Sequence, residues 1–251
     1  MLAIIGGSGL TQLSNLEVSR REVVRTPYGE PSGILSFGQI GGKSAVFLAR
    51  HGHGHTIPPH RVNYRANLWA LRECGASRVV SVASVGCIRK GLSPGELVIP
   101  NQILDYTWGR AHTFFDGDGA PVTHTDFTEP YDAALRNILI KAAAAANIPL
   151  RDGAVYAATQ GPRLETAAEI DRLERDGAEI VGMTGMPEAS LARELGLPYA
   201  SIALIVNHAA GRGDSARGIH FGQLETVLHS ATDKVRTILS LARTPDRNLE
   251  K

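Results

Sequence analysis

Cysteine is scarce in this sequence: 251 residues hold only Cys74 and Cys87. With no CxxC pair and no disulfide framework, the chain fits a reducing compartment, and the cytoplasm is the expected setting. Long apolar runs are missing too. No stretch approaches the roughly 20 apolar residues of a membrane span. The opening MLAIIGGSGL has no basic region and too short an apolar run for a secretory signal. Excess charge is absent, the net value being +1, so nothing in bulk draws the chain to nucleic acid or an anionic membrane, and any anion site must be local. Linker-like Pro/Ser/Gly tracts and internal repeats are also lacking. What is present is globular: 43% apolar and 20% charged residues. That length can bury a sizeable core, and we read one domain over 1–251.

Apolar runs predict strands at 2–5, 44–49, 78–85, 96–99, 154–159, 178–183 and 199–206. Helical patterns lie at 63–74, 133–147, 165–176, 187–195 and about 223–243. In the last, Leu224, Val227, Leu228, Ala231, Val235, Ile238, Leu239 and Ala242 share one stripe. Runs 78–85 and 199–206 are continuously apolar, as strands covered on both faces are. The expected fold class is therefore α/β, a mixed, largely parallel central sheet flanked by helices. Residues 107–131 show no period, and a connection that long is usually functional or an oligomer contact.

Five segments carry candidate chemistry. In IIGGSGL, a strand leads into Gly6, Gly7, Ser8 and Gly9, a turn whose N–H groups and hydroxyl suit an oxyanion. It lacks the GxGxxG and GxSxG spacings, which removes a dinucleotide site and a nucleophile elbow. In FLARHGHGHTIPPHRVNY, Arg50 follows a strand and suits bidentate phosphate binding. His51, His53 and His55 alternate there, as zinc or nickel ligands do, yet the glycines between them make a loop and no carboxylate or Cys cluster accompanies them. Hydrogen-bonded loop histidines and the metal of a hydrolase using the segment from His51 to His60 both stand as readings. In SVASVGCIRKGLSPGELVIP, Ala83, Ser84 and Gly86 are small enough for close backbone approach to a ligand. In ATQGPRLETAAEI, Thr166 and Glu169 fit a capping box, which leaves the Glu165 carboxylate free to accept from a ligand. Lastly, residues 178–211 read strand, Gly-Met-Thr turn, helix and strand, ending an apolar run at the amide of Asn207, where α/β proteins place ligand contacts.

In order along the chain, IIGGSGL, LARHGHGHTIPPHRVNYRANLWAL, SVG, LSPGELVIPNQILD, GPRLET and GMTGMPEASLARELGLPYASIAL resemble the purine nucleoside phosphorylase family, in particular its trimeric branch that includes the methylthioadenosine phosphorylases. The resemblance covers nearly the whole chain. It implies cleavage of a purine nucleoside by inorganic phosphate as co-substrate, without metal or organic cofactor, by a homotrimer or a dimer of trimers. It implies phosphate binding by Ser8, Arg50, His51 and Thr184 with backbone near Ala83 and Ser84. Met183 would pack under the ribose, and Leu164 and Ala209 would meet the base.

The same resemblance frames the substrate. Adenosine-type members carry Asp where this chain has Asn207, and a small hydroxyl residue where it has Glu165. A 6-oxopurine presents a carbonyl and an N1 proton, so it wants a donor beside an acceptor; Asn207 supplies the first and Glu165 the second. These two are the expected catalytic pair, since Asn207 can also accept from a protonated N7. Members that cleave inosine place a His in a His-Glu-Glu-Val-Leu run, where this chain has Leu224-Glu225-Thr226-Val227-Leu228. An apolar Leu224 favours a methylthio group at the 5′ position, and His124 matches a position that reaches over from a neighbouring subunit in the methylthio enzymes. The expected substrate is S-methyl-5′-thioinosine, giving hypoxanthine and 5-(methylthio)ribose 1-phosphate, with inosine, guanosine or methylthioadenosine as alternatives.

Overall fold

The computed structural model describes residues 1–117, 119, 121–219 and 221–242, with the side chains of residues 221 and 223–225 left out. Among the described residues, eleven strands run as β1 (Leu2–Gly6), β2 (Glu17–Glu22), β3 (Leu35–Ile40), β4 (Lys43–Ala49), β5 (Arg78–Cys87), β6 (Leu97–Ile99), β7 (Gln102–Asp105), β8 (Leu150–Asp152), β9 (Val155–Ala158), β10 (Ile180–Gly182) and β11 (Tyr199–His208). The helices are α1 (Tyr64–Glu73), α2 (Ala133–Ala145), α3 (Ala167–Arg175), α4 (Gly185–Glu194) and α5 (Phe221–Leu241). All seven expected strands and all five expected helices form. The four strands that no sequence pattern announced are β2, β3, β7 and β8. β2 is exposed along its whole length and β8 has three residues, so neither carries an apolar signature.

The strands make one sheet ordered β2-β3-β4-β1-β5-β10-β9-β7, with β11 also pairing β5 and β6, and β6 pairing β8. β1 runs parallel to β4 and β5, β11 parallel to β5, and β9 parallel to β7 and β10. β10 against β5 and β11 against β6 are antiparallel, so the sheet is mixed and mostly parallel. Alternation across the pleat explains the continuous apolar runs. In β11, Ala203 and Ile205 join the cluster that holds Tyr64, Leu68 and Leu71 of α1 and Leu191 of α4. Ile202 and Leu204 join the opposite cluster, with Leu139 of α2 and Val235 and Ile238 of α5. Burying both faces in this way drives the fold at roughly 25 cal/mol per Å² of apolar surface.

Local caps set the helix starts. Asn63 accepts from the Ala66 N–H and Asp132 from that of Leu135. Thr166 and Glu169 form the expected capping box, so α3 begins after Glu165 rather than on it. Among the described residues, no helix is long and apolar enough to cross a membrane.

Candidate active site

Where the parallel strands end, their following residues converge on one cavity of about 900 Å³. Gly7 and Ser8 follow β1, Arg50 and His51 follow β4, and Ala83, Ser84 and Gly86 belong to the last part of β5. Met183 and Thr184 follow β10, Asn207 and Ala209 close β11, and Leu164 and Glu165 come from the turn before α3.

One end of the cavity is built around a buried ion pair. Arg50 and Glu188 are both fully buried, and the guanidinium meets the carboxylate twice, at 2.7 and 2.9 Å. Arg50 also donates to the Val82 carbonyl at 3.0 Å and the Ser81 hydroxyl at 2.9 Å, and Tyr199 donates to Glu188 at 2.8 Å. Burial alone would lower the Arg50 pKa, but Glu188 outweighs it and raises the value. The expectation that Arg50 grips phosphate with both prongs is corrected here: Glu188 holds that fork. Four of its five N–H donors are used inside the protein, leaving one on Nη1. That nitrogen abuts Gly7, where a Cβ would come within 2.9 Å of it and 2.5 Å of the Val82 carbonyl. Only glycine lets the first turn lie so close.

His51 is neutral in this setting. Burial pushes its pKa down to about 4, helped by the charge of Arg50. Its Nδ1 lies 2.8 Å from the Ile57 carbonyl, which can only accept, so Nδ1 carries the proton and Nε2 offers a lone pair. Of the three alternating histidines, His53 turns to Gln12, while the His55 ring stays 4.9 Å from that of His51 and its Nε2 sits 2.9 Å from the Ser8 hydroxyl. Among the described residues, no three His, Cys, Asp or Glu side chains gather to hold a metal. Thr184 stands at the N-cap of α4 without capping it by its side chain, so its hydroxyl is not spent there.

The other end is more open. A bulge in β11 between Ile205 and Asn207 re-aims the strand end. Asn207 gives one N–H to the His208 carbonyl at 2.6 Å, leaving its other N–H and its oxygen. Glu165 accepts one hydrogen bond at 2.6 Å, from the Thr159 hydroxyl. A Cβ at Gly161, whose φ is +59°, would overlap the Met183 sulfur, so the turn carrying Leu164 and Glu165 packs directly on the Met183 side chain. Ile219 and Leu228 add apolar wall, and Leu228 packs against Gly9.

The cavity thus joins Ser8, Arg50, His51, Ala83, Ser84, Leu164, Glu165, Met183, Thr184, Asn207 and Ala209. His124 is exposed and does not line it, so one chain alone does not bring that residue to the site. The side chain of Leu224 lies outside the described residues; Leu228, one turn on in α5, does line the cavity. Sequence reasoning missed Glu188, whose signal was a carboxylate set between Pro187 and Ala189 in the first turn of α4, and Arg110. Arg110 comes from the long 107–131 segment and donates to the carbonyls of Thr159, Gln160, Met183 and Met186.

Residues 1–241 match the family described as the phosphorylase superfamily. The chain belongs to that superfamily. It is 52% identical over 238 residues to a probable S-methyl-5′-thioinosine phosphorylase of Pseudomonas syringae pv. tomato, covering 95% of this chain and 96% of that one. To the 6-oxopurine nucleoside phosphorylase of Pyrococcus furiosus it is 44% identical over 244 residues, covering 95% and 91%. A methylthioadenosine phosphorylase from Schistosoma mansoni, solved with adenine, superposes with a TM-score of 0.92 at 35% identity, covering 96% of this chain and 90% of that one. Within this superfamily member, the strand-end cavity is the candidate active site.

Proposed function

We propose that this superfamily member cleaves S-methyl-5′-thioinosine with inorganic phosphate, giving hypoxanthine and 5-(methylthio)ribose 1-phosphate. The observation that carries the reading is one cavity with a hydroxyl- and backbone-lined end, a donor–acceptor pair at Asn207 and Glu165, and apolar wall at Ile219 and Leu228. The relatives from Pseudomonas and Pyrococcus support a 6-oxopurine nucleoside by their names. No organic cofactor or metal enters the scheme.

In the reaction, a phosphate oxygen forms a bond to C1′ as the bond from C1′ to purine N9 breaks. The electron pair leaves onto the base, which takes a proton from solvent water at N7, where the Asn207 oxygen accepts a hydrogen bond from it, and the phosphate's own proton returns to solvent from the sugar phosphate. The Ser8 and Thr184 hydroxyls and the backbone near Ala83 and Ser84 hold the phosphate, with the single remaining Nη1 donor of Arg50. Because Glu188 neutralises Arg50 and His51 is neutral, dipoles rather than net charge cradle the anion. Its oxygens then keep the negative charge that stabilises an oxocarbenium-like sugar. His51 Nε2 accepts from the proton of monohydrogen phosphate. Leu224 extends the apolar end around the methylthio group, and His124 of a neighbouring copy completes it in a homotrimer or dimer of trimers. The free thiols of Cys74 and Cys87 suit the cytoplasm.

The test compares S-methyl-5′-thioinosine, methylthioadenosine and inosine at equal concentration, with and without phosphate. We expect cleavage only with phosphate and fastest for the first. Faster methylthioadenosine cleavage would overturn the assignment of Asn207, faster inosine cleavage that of Leu224, and phosphate-independent cleavage the reaction itself.

A further inference from the structure

Glu165 has the cavity on one side and Thr159 on the other. Thr159, just beyond β9, does not line the main cavity; it lines a smaller cleft behind it, of about 310 Å³, which Glu165 also borders. Its hydroxyl lies 2.6 Å from Glu165 Oε1 and 3.3 Å from the Gly182 carbonyl. The carboxylate is both nearer and charged, so the single hydroxyl proton goes to it, while the Gly182 carbonyl accepts the Thr159 N–H at 2.8 Å. On the other side, the Thr159 carbonyl accepts from Arg110 Nη2 at 3.2 Å. Arg110 is only 7% exposed, and its further bonds to the carbonyls of Gln160, Met183 and Met186 keep it in place. Thr159 is therefore pinned through both of its backbone groups while its side chain pins Glu165.

We propose that Thr159 is a positioning residue for base selection, holding Glu165 Oε1 from behind so that the remaining carboxylate oxygen faces the cavity as an acceptor. The inference rests on the functional reading above, in which Glu165 takes the N1–H of a 6-oxopurine. An ionised carboxylate only accepts, and a 6-aminopurine presents a lone pair at N1, so a fixed carboxylate repels the wrong base. A carboxylate free to rotate away would discriminate less.

Thr159→Val keeps the shape and removes the hydroxyl, whereas Thr159→Ser keeps the hydroxyl. In the valine variant we expect kcat/KM for the 6-oxopurine nucleoside to fall about tenfold, the factor for one hydrogen bond to a charged group. The ratio of 6-oxo to 6-amino cleavage should contract with it, while KM for phosphate holds and the serine variant stays within about twofold of wild type. An unchanged ratio, an equal loss in both variants, or a parallel rise in KM for phosphate would overturn the proposal. A thermal melt checks folding, and Thr159→Ala carries the same expectation should the valine variant not fold. If the wild-type protein leaves 6-oxopurine nucleosides uncleaved in phosphate, the functional reading falls and this inference with it. If wild type cleaves them and the valine variant keeps the ratio, only the role of Thr159 falls.

Discussion

Arg50 and Asn207 both follow or end strands of one sheet and both face one cavity, yet they are held in opposite ways. Arg50 is wholly buried, with four N–H donors committed inside the protein, two of them to Glu188. Asn207 is half-buried, and its single hydrogen bond goes to the carbonyl of the next residue. The first is placed by long-range contacts, since Glu188 lies 138 residues away. The second is placed by a bulge in its own strand. Changes at the phosphate end therefore act first on stability, and changes at the base end first on selectivity.

The largest effect that tests this contrast is expected from Glu188→Ala. It leaves a buried guanidinium with no counter-charge and strips Tyr199 of its acceptor, so unfolding free energy should drop by about 3–5 kcal/mol in urea titration. Replacing both partners, Arg50→Met with Glu188→Leu, should recover most of that stability while abolishing phosphorolysis. A loss below about 1 kcal/mol for Glu188→Ala, the size of an average substitution, would mean that the pair does not organise this end.

His51 sharpens the same point through pH. Its folded pKa of about 4 lies below the ordinary 6.5 because burial and Arg50 disfavour the imidazolium. Between pH 6.5 and 4 the unfolded chain takes up a proton that the folded chain refuses, so stability falls as pH falls through that window. At full extent the loss is on the order of 3 kcal/mol, and above pH 6.5 this group adds no slope. His51→Asn, which does not titrate, should shed that much of the difference between urea titrations at pH 7 and pH 4. An identical pH dependence in variant and wild type would refute the buried neutral imidazole.

The contrast also marks what was legible in the sequence. Chemistry at the ends of strong strands was readable: Ser8 after β1, His51 after β4, Thr184 after β10 and Asn207 closing β11 each follow an apolar run that announces itself, and all four reach the cavity. The capping box at Thr166 was readable because it spans three residues, and it correctly left Glu165 over. What stayed hidden needs residues far apart in the chain to meet. Arg50 reads as a free phosphate ligand until Glu188 is packed on it. Arg110 sits in a segment without period, and only the fold shows its guanidinium ringed by carbonyls. β2 escaped because an exposed edge strand of mixed charge has no alternation to detect.

The smallest change with a definite direction is Asn207→Asp. It swaps one nitrogen for oxygen, turning a group that donates and accepts into one that only accepts. A 6-oxopurine then loses its donor, and a 6-aminopurine gains an acceptor for its amino group. The ratio of kcat/KM for the two bases should move toward the 6-amino substrate by about ten- to a hundredfold, since each mispaired buried group costs about 1–3 kcal/mol. The variant also loses the bond to the His208 carbonyl, but the half-buried side chain can turn toward water, so stability should change by under about 1 kcal/mol. Steady-state kinetics on both nucleosides at saturating phosphate read the first effect, and urea titration the second. A ratio that stays put would show that Asn207 does not read position 6. A KM for phosphate that rises as steeply as that for nucleoside would show instead that the two ends of the cavity act as one, because the carboxylate put in at position 207 adds a negative charge to the cavity whose other end holds the anion.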